Sequence, residues 1–184
     1  GGWHGAGAVG SLASLTRGPA AWLAPKPAAL SFEAACTLPI TWSTVHAALS
    51  GAQLRRGQAM LVHAAAGGVG LVAVEYAHWL GVSVLGTAGR LHKHTLLRGV
   101  GVCRSASSRD AATFAYGAAR AYHAARLSLV LNSLSADFIS ASAALLGEGG
   151  AFEEIGKRGV WSAARMQHSR AAARYEVLAI DDDM

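Results

Sequence analysis

The segment His63-Ala64-Ala65-Ala66-Gly67-Gly68-Val69-Gly70 constrains this chain more than any other. It follows a short apolar run, Ala59 to His63. It leads into Val69 to Leu80, where the apolar positions Leu71, Val72, Val74 and Leu80 leave Glu75 and His78 for another face, and Gly81 closes the pattern. A strand, a glycine turn and a helix in that order make a βα unit. Counted from Ala65, the turn reads AxGxxG. Gly67 and Gly70 let the backbone approach a pyrophosphate and let the helix pack close to the strand, while Gly68 and Val69 stand at a helix N-terminus with unpaired N–H groups. Taken alone, such a turn also suits any βα connection that needs positive φ, so its surroundings must decide.

The rest of the chain repeats the unit. Val82 to Thr87 reads as a second strand, Leu91 to Arg98 as a short helix, and a weak third strand is expected near Val102. Asp110 to Ala125 reads as an Ala-rich helix, Leu127 to Asn132 as a strand, and Ser135 to Leu146 as a helix ended by Gly147 and the Gly149-Gly150 turn. Ala151 to Ile155 and Tyr175 to Ile180 complete the strands, and Ser31 to Leu54 reads as helix interrupted or restarted at Pro39. Strands alternating with helices predict an α/β fold, a Rossmann-like doubly wound parallel sheet.

With 184 residues the chain has room for one ordinary domain and not for two. Charged residues are 15% and hydrophobic residues 52%, about a fifth of the chain being Ala, so a closely packed core is expected rather than disorder. The longest stretch without Lys, Arg, Asp or Glu, Ala34 to Leu54, carries Pro39, His46, Gly51 and Gln53 and reads as a buried segment, not a membrane span. The net charge of +5 comes from scattered residues with no basic block, which disfavours nucleic acid and suits an anionic small ligand. Cys36 and Cys103 are isolated, and His92 and His94 have no convergent third ligand, so no metal is expected. The start, Gly1-Gly2-Trp3-His4, lacks an initiator Met and any signal-peptide pattern, and the chain reads as an excised piece. A cytoplasmic or plastid location is the expectation.

The choice of nucleotide turns on the end of the second strand. An NAD site places Asp or Glu about 20 residues beyond the fingerprint for the ribose hydroxyls. Here the sequence is Thr87-Ala88-Gly89-Arg90-Leu91-His92-Lys93, with no acid, and Arg90 and Lys93 suit the 2′-phosphate of NADPH. A solvated helix start accounts for the same cations, and a helix cap accounts for the serines around Asn132-Ser133-Leu134, which also stand where open α/β sheets bind ligands. His63 reads as a residue of the turn.

These motifs, with Ser107-Ser108-Arg109-Asp110, Leu131-Asn132-Ser133-Leu134 and Phe152-Glu153-Glu154-Ile155-Gly156-Lys157 in this order and spacing, resemble the enoylreductase domains of type I polyketide synthases and fatty acid synthases. The chain looks like the nucleotide-binding half of that zinc-free medium-chain dehydrogenase/reductase domain. Thr37-Leu38-Pro39 with Thr44 is similar to its helix pair, and Tyr175 to Asp181 to its late strand. Residues 31–184 would then be the NADPH-binding domain, and residues 1–30 the end of a GroES-like substrate portion that otherwise lies upstream.

The resemblance implies NADPH-dependent reduction of a 2-enoyl thioester on an acyl carrier protein, with other domains of the same synthase as partners. Hydride passes to the β-carbon and a proton to the α-carbon. The family's proposed proton-donor pair falls by motif on Lys157 and on Asp181, the first of three consecutive aspartates. The cofactor set implied is Ala65, Gly67, Gly68, Val69, Gly70, Thr87, Arg90, Lys93, Asn132, Ser133 and Leu134. Two departures stand out: Arg126-Leu127-Ser128 replaces the family's Gly-Val-Asp, and Arg158-Gly159 stands where an acidic residue is common after the motif Lys. The competing readings are a free-standing quinone or enone reductase of the same superfamily and a non-catalytic structural remnant.

Overall fold

The computed structural model describes residues 14–15, 17–121, 126–169 and 172–178. A 3-10 turn, Ala20–Trp22, leads to α1 (Phe32–Ala35) and α2 (Leu38–Ser50). The βα array follows as β1 (Ala59–Val62), α3 (Gly68–Leu80), β2 (Ser83–Ala88), α4 (Leu91–Gly99), β3 (Arg104–Ser107) and α5 (Ala111–Ala121). It continues as β4 (Leu127–Asn132), α6 (Asp137–Ala143), β5 (Leu146–Glu154), α7 (Ala163–Ser169) and β6 (Arg174–Val177). The strands form one sheet in the order β3-β2-β1-β4-β5-β6, and every pairing is parallel. The chain therefore crosses the sheet from β3 to β4, and the first fingerprint strand, β1, lies in the middle beside β4.

Two-residue alternation sorts the core onto two faces. Met60, Val62, Val84, Leu129 and Leu131 pack with Val45 and Leu49 of α2, Ala73, Val74 and Ala77 of α3 and Leu97 of α4. Leu61, Leu85, Val130 and Phe152 face the other way, onto Phe114 and Ala118 of α5, Ile139 and Ala143 of α6 and Met166 of α7. Strands buried on both faces read as near-continuous apolar runs, which is why AMLV and LSLVLN were legible as central strands. Alanine on the inner side of α3 lets that helix approach the sheet closely, and Gly81, at φ 70°, ends it in the left-handed conformation.

The expected helix from Ser31 divides at Cys36 and Thr37: Ser31 caps α1, and α2 restarts with Pro39 in its first turn and ends at Ser50 rather than Leu54. The third strand begins at Arg104, not at Val102; Val102 is instead a buried residue beneath α4 whose N–H donates to Leu97 O at 2.9 Å. The helix expected to reach Leu146 stops at Ala143, because Leu146 is fully buried and already pairs with Leu127 as the first residue of β5. The glycines that follow form an irregularity within that strand, between the Leu127 and Leu129 pairings, instead of a turn ahead of it. Helix α7 has no counterpart among the sequence expectations. Ser162 opens it by accepting Arg165 N–H at 3.2 Å, and Met166 anchors it with no exposed surface.

Candidate functional site

The carboxyl ends of β1, β2, β4 and β5 carry the candidate residues. The β1–α3 turn is built first by its own backbone: Gly67 N–H donates to Ala64 O at 2.8 Å, and Leu71 N–H to Gly67 O at 2.9 Å. Gly67 and Gly68 are exposed at the mouth of the turn, with Val69 half-buried behind them. Gly70 is buried, and a Cβ there would lie 2.6 Å from Ala64 O and Ala65 Cα, so only glycine lets α3 seat against the end of β1. Gly67 differs: its φ of −92° suits any residue, and an added Cβ would lie 3.2 Å from Ala64 O. Its free face is toward solvent, where a ligand would come.

Ala65 and Thr87, both proposed from sequence as nucleotide contacts, have no exposed side-chain surface. Ala65 lies over Gly86, 3.1 Å from where a Cβ would be. Thr87 accepts Ala64 N–H on its hydroxyl at 3.0 Å and Ala65 N–H on its carbonyl at 2.9 Å, and so holds the turn from β2. His63 lies beside it, Nδ1 at 3.1 Å from Thr87 Oγ1 and Nε2 at 2.7 Å from Ser142 Oγ on α6, with its ring packed against Phe114 and Phe138. Since the Thr87 oxygen already accepts an N–H, the arrangement that satisfies every group has the hydroxyl donating to Nδ1 and Nε2–H donating to Ser142.

That imidazole is held neutral. Burial in an apolar setting pushes His63 from its ordinary 6.5 down to about 3. Below pH 6.5 the unfolded chain takes up a proton that the folded chain refuses, so this residue's stabilisation is complete above 6.5 and is lost as pH falls toward 3. Glu153 and Glu154 are pushed upward by burial and act in the opposite sense, so the histidine's part must be read as a difference. Denaturation midpoints of the chain and of His63→Gln should diverge on acidification, the unsubstituted chain losing about 2 kcal/mol more between pH 6.5 and 5. Parallel curves would show that His63 is not the group being titrated.

The end of β2 carries the cations. Arg90 and Lys93 are exposed, Arg90 immediately before α4 with its carbonyl accepting Lys93 N–H at 3.0 Å. The structure adds a third that sequence reading did not place in the site. Arg109, from the β3–α5 connection, donates from Nε to Gly89 O at 2.9 Å, and a Cβ at Gly89 would lie 2.8 Å from that nitrogen. The motif Ser107-Ser108-Arg109-Asp110 is a turn and a cap that present this arginine. Ser107 Oγ accepts Arg109 N–H at 3.1 Å, and Asp110 Oδ1 accepts Thr113 N–H at 2.6 Å at the start of α5, which holds the Asp110 carboxyl below the usual range. Its position in the quoted motif was the available signal; that it folds over Gly89 needed the β2–β3 pairing.

The ends of β4 and β5 are tied by a buried carboxylate. Glu154 Oε2 accepts from Asn132 Nδ2 at 2.6 Å and Oε1 accepts Gly156 N–H at 2.7 Å, and both side chains are buried. Asn132 also donates to Leu134 O at 2.7 Å, so its amide organises the loop and is spent within the protein. Ser133 and Leu134 remain half-buried at the edge, with Ser133 Oγ 3.5 Å from His63 O. Lys157 follows on the β5 loop at this edge and is exposed. Asp181 lies outside the described residues. Among the described residues no cluster of three potential metal ligands exists, and no helix is long and apolar enough to cross a membrane.

No protein-family profile matches the chain. Among curated proteins it is 36% identical over 178 residues to the spectinabilin polyketide synthase system protein NorB of Streptomyces orinoci, covering 95% of this chain and 8% of that one. It is 43% identical over 142 residues to the erythronolide synthase EryA2 of Saccharopolyspora erythraea, covering 73% of this chain and 4% of that one. Among solved structures, the CurK enoyl reductase superposes with a TM-score of 0.82 at 33% identity, over 88% of this chain and 48% of that chain. The nucleotide-binding subdomain of the enoylreductase domain of PpsC from Mycobacterium tuberculosis gives 0.69 at 29%, over 77% and 80%. A mycobacterial protein complexed with NADPH gives 0.82 at 27%, over 94% and 54%. The chain thus spans less than a tenth of these curated relatives and about half of the whole enoyl reductase chain.

Proposed function

We propose, for a chain that belongs to the polyketide synthase enoylreductase domains and corresponds to their nucleotide-binding half, that it binds NADPH and supplies the hydride-donor side of enoyl thioester reduction. The observation that carries the reading is the placing of an open glycine turn at the carboxyl end of β1, with Arg90 and Lys93 in the acid-free stretch from Thr87 to Lys93 at the end of β2 and Arg109 bonded there to Gly89 O. The exposed mouth at Gly67 and Gly68 would take the pyrophosphate on the first N–H groups of α3. The guanidinium groups suit a phosphate on the adenosine ribose, a dianion that an Asp or Glu in their place would repel. The nicotinamide would lie toward Ser133 and Leu134.

NADPH, when bound, supplies the hydride. Everything else falls to the protein: the turn at Gly67 orients the cofactor, the Glu154–Asn132 pair keeps the β4 and β5 loops in register with it, and Lys157 stands on the same edge as the proposed proton donor with Asp181. Residues 1–30 are read as the end of the substrate-binding portion; in support, neither core cluster contains a described residue before Val45. The substrate read for this site is a 2-enoyl thioester on an acyl carrier protein, and the neighbours are other domains of the same synthase.

Gly67→Val tests the site directly. Its φ is compatible with valine but its Cβ would lie 3.2 Å from Ala64 O, so the circular dichroism should be kept with a modest fall in melting temperature, whereas NADPH affinity should fall by about a hundredfold because the side chain occupies the pyrophosphate's approach. A folded variant that binds NADPH normally would reduce the motif to a plain βα turn.

A further inference from the structure

The β1–α3 turn holds one residue in a conformation that its own side chain opposes. Ala64 has φ 48°, in the left-handed region that non-glycine residues enter only at a cost. It is exposed, so packing of its methyl group does not compensate. What holds it is the backbone. Its N–H donates to Thr87 Oγ1 at 3.0 Å and its carbonyl accepts Gly67 N–H at 2.8 Å, so the strained residue directly sets the position of the first open glycine.

Thr87 in turn has a brace behind it. A free hydroxyl rotates, and its lone pairs point at Ala64 only when its proton has a fixed acceptor. His63 Nδ1 is that acceptor at 3.1 Å, and the ring is pinned by Ser142 at 2.7 Å and by Phe114 and Phe138. The chain of contacts from Ser142 through His63 and Thr87 to Ala64 joins α6, on one face of the sheet, to the turn that opens α3 on the other. All three polar side chains are buried. None of them reaches the mouth of the turn.

We propose that Thr87, braced by His63 and Ser142, is a positioning residue for the nucleotide: it sets how tightly the turn grips a pyrophosphate without touching it. The inference rests on the reading of that turn as the NADPH site. It goes beyond that reading in giving nucleotide affinity to a buried hydroxyl, with the rest of the network as its support.

The test compares two ligands, NADPH and 2′-AMP, which shares the ribose 2′-phosphate but has no pyrophosphate. Thr87→Val preserves shape and removes the acceptor; it should weaken NADPH about tenfold, the worth of one hydrogen bond with its orphaned partner, and leave 2′-AMP binding unchanged. Thr87→Ser should bind both as the unsubstituted chain does. Adding Ala64→Gly to Thr87→Val should recover part of the lost affinity, because glycine adopts the left-handed conformation unaided. Should Thr87→Val not fold, Ser142→Ala removes only the far end of the brace and should give a smaller loss confined to NADPH. Normal NADPH binding by the folded Thr87→Val or Ser142→Ala chain, or equal loss of both ligands, overturns the inference. If the unsubstituted chain binds neither ligand, the nucleotide reading itself falls, a separate result from a folded Thr87→Val chain that binds NADPH normally.

Discussion

Joining this chain to the substrate-binding portion expected upstream should raise its rate of crotonyl thioester reduction by orders of magnitude over the chain alone. Hydride transfer requires the β-carbon to be held about 3 to 3.5 Å from the nicotinamide, and positioning supplies a large part of the barrier reduction. On the proposed reading the exposed turn at Gly67, the half-buried Ser133–Leu134 edge and exposed Lys157 supply one wall of the cleft. In the longer chain, Lys157→Ala should lower turnover by about a hundredfold while NADPH affinity stays within a factor of about two, the signature of a group used in the proton step and not in cofactor binding. Lys157→Arg keeps the charge with a different proton affinity and should recover little. Full activity of the present chain unaided, or an active Lys157→Ala enzyme, would refute this division of labour.

Loss of cofactor discrimination is the second large effect expected. Replacing Arg90 and Lys93 together by alanine should remove about 1 to 3 kcal/mol of the preference for NADPH over NADH, roughly five- to a hundredfold in relative affinity. The Nε of Arg109 is engaged by Gly89 O, which leaves the terminal nitrogens of the guanidinium for the ligand, so a residual preference in the double variant should disappear only when Arg109→Ala is added. NADH affinity itself should hardly move in any of these variants, because the ribose it presents there carries no phosphate. Equal affinity of the unsubstituted chain for NADPH and NADH would remove the assignment altogether.

What could be read without the structure was what local periodicity and spacing encode. Ala59–Val62 and Leu127–Asn132 declared themselves as strands because a parallel sheet covered on both faces buries every residue of them but the half-buried Ser128. The fingerprint, the helix that follows it and its end at Gly81 depend on contacts within a few residues, and so did the basic end of β2. The edge of the sheet was harder. Arg104–Ser107 is polar and only part-buried, so it carries no strand pattern, and Val102 drew the expectation because it is apolar, although it packs beneath a helix. The glycines of β5 look like a terminator until Leu146 is seen paired with Leu127, a partner 19 residues away.

The roles within the site divide in the same way. Sequence alone determined which motifs meet at the sheet's carboxyl edge, because parallel βα units bring all strand ends to one side whatever the side chains do. Only the tertiary structure decided which members of those motifs face solvent and which are spent holding the others. Gly67, Gly68, Arg90 and Lys93 are open, whereas Ala65, Thr87 and Asn132 are buried among partners that are distant in the chain. Arg109 entered the site, and Glu154 became the tie between two loops, through pairings of β2 with β3 and of β4 with β5. The hydrogen bond across strands from Asn132 to Glu154 joins residues 22 apart in the chain, and no local pattern records it.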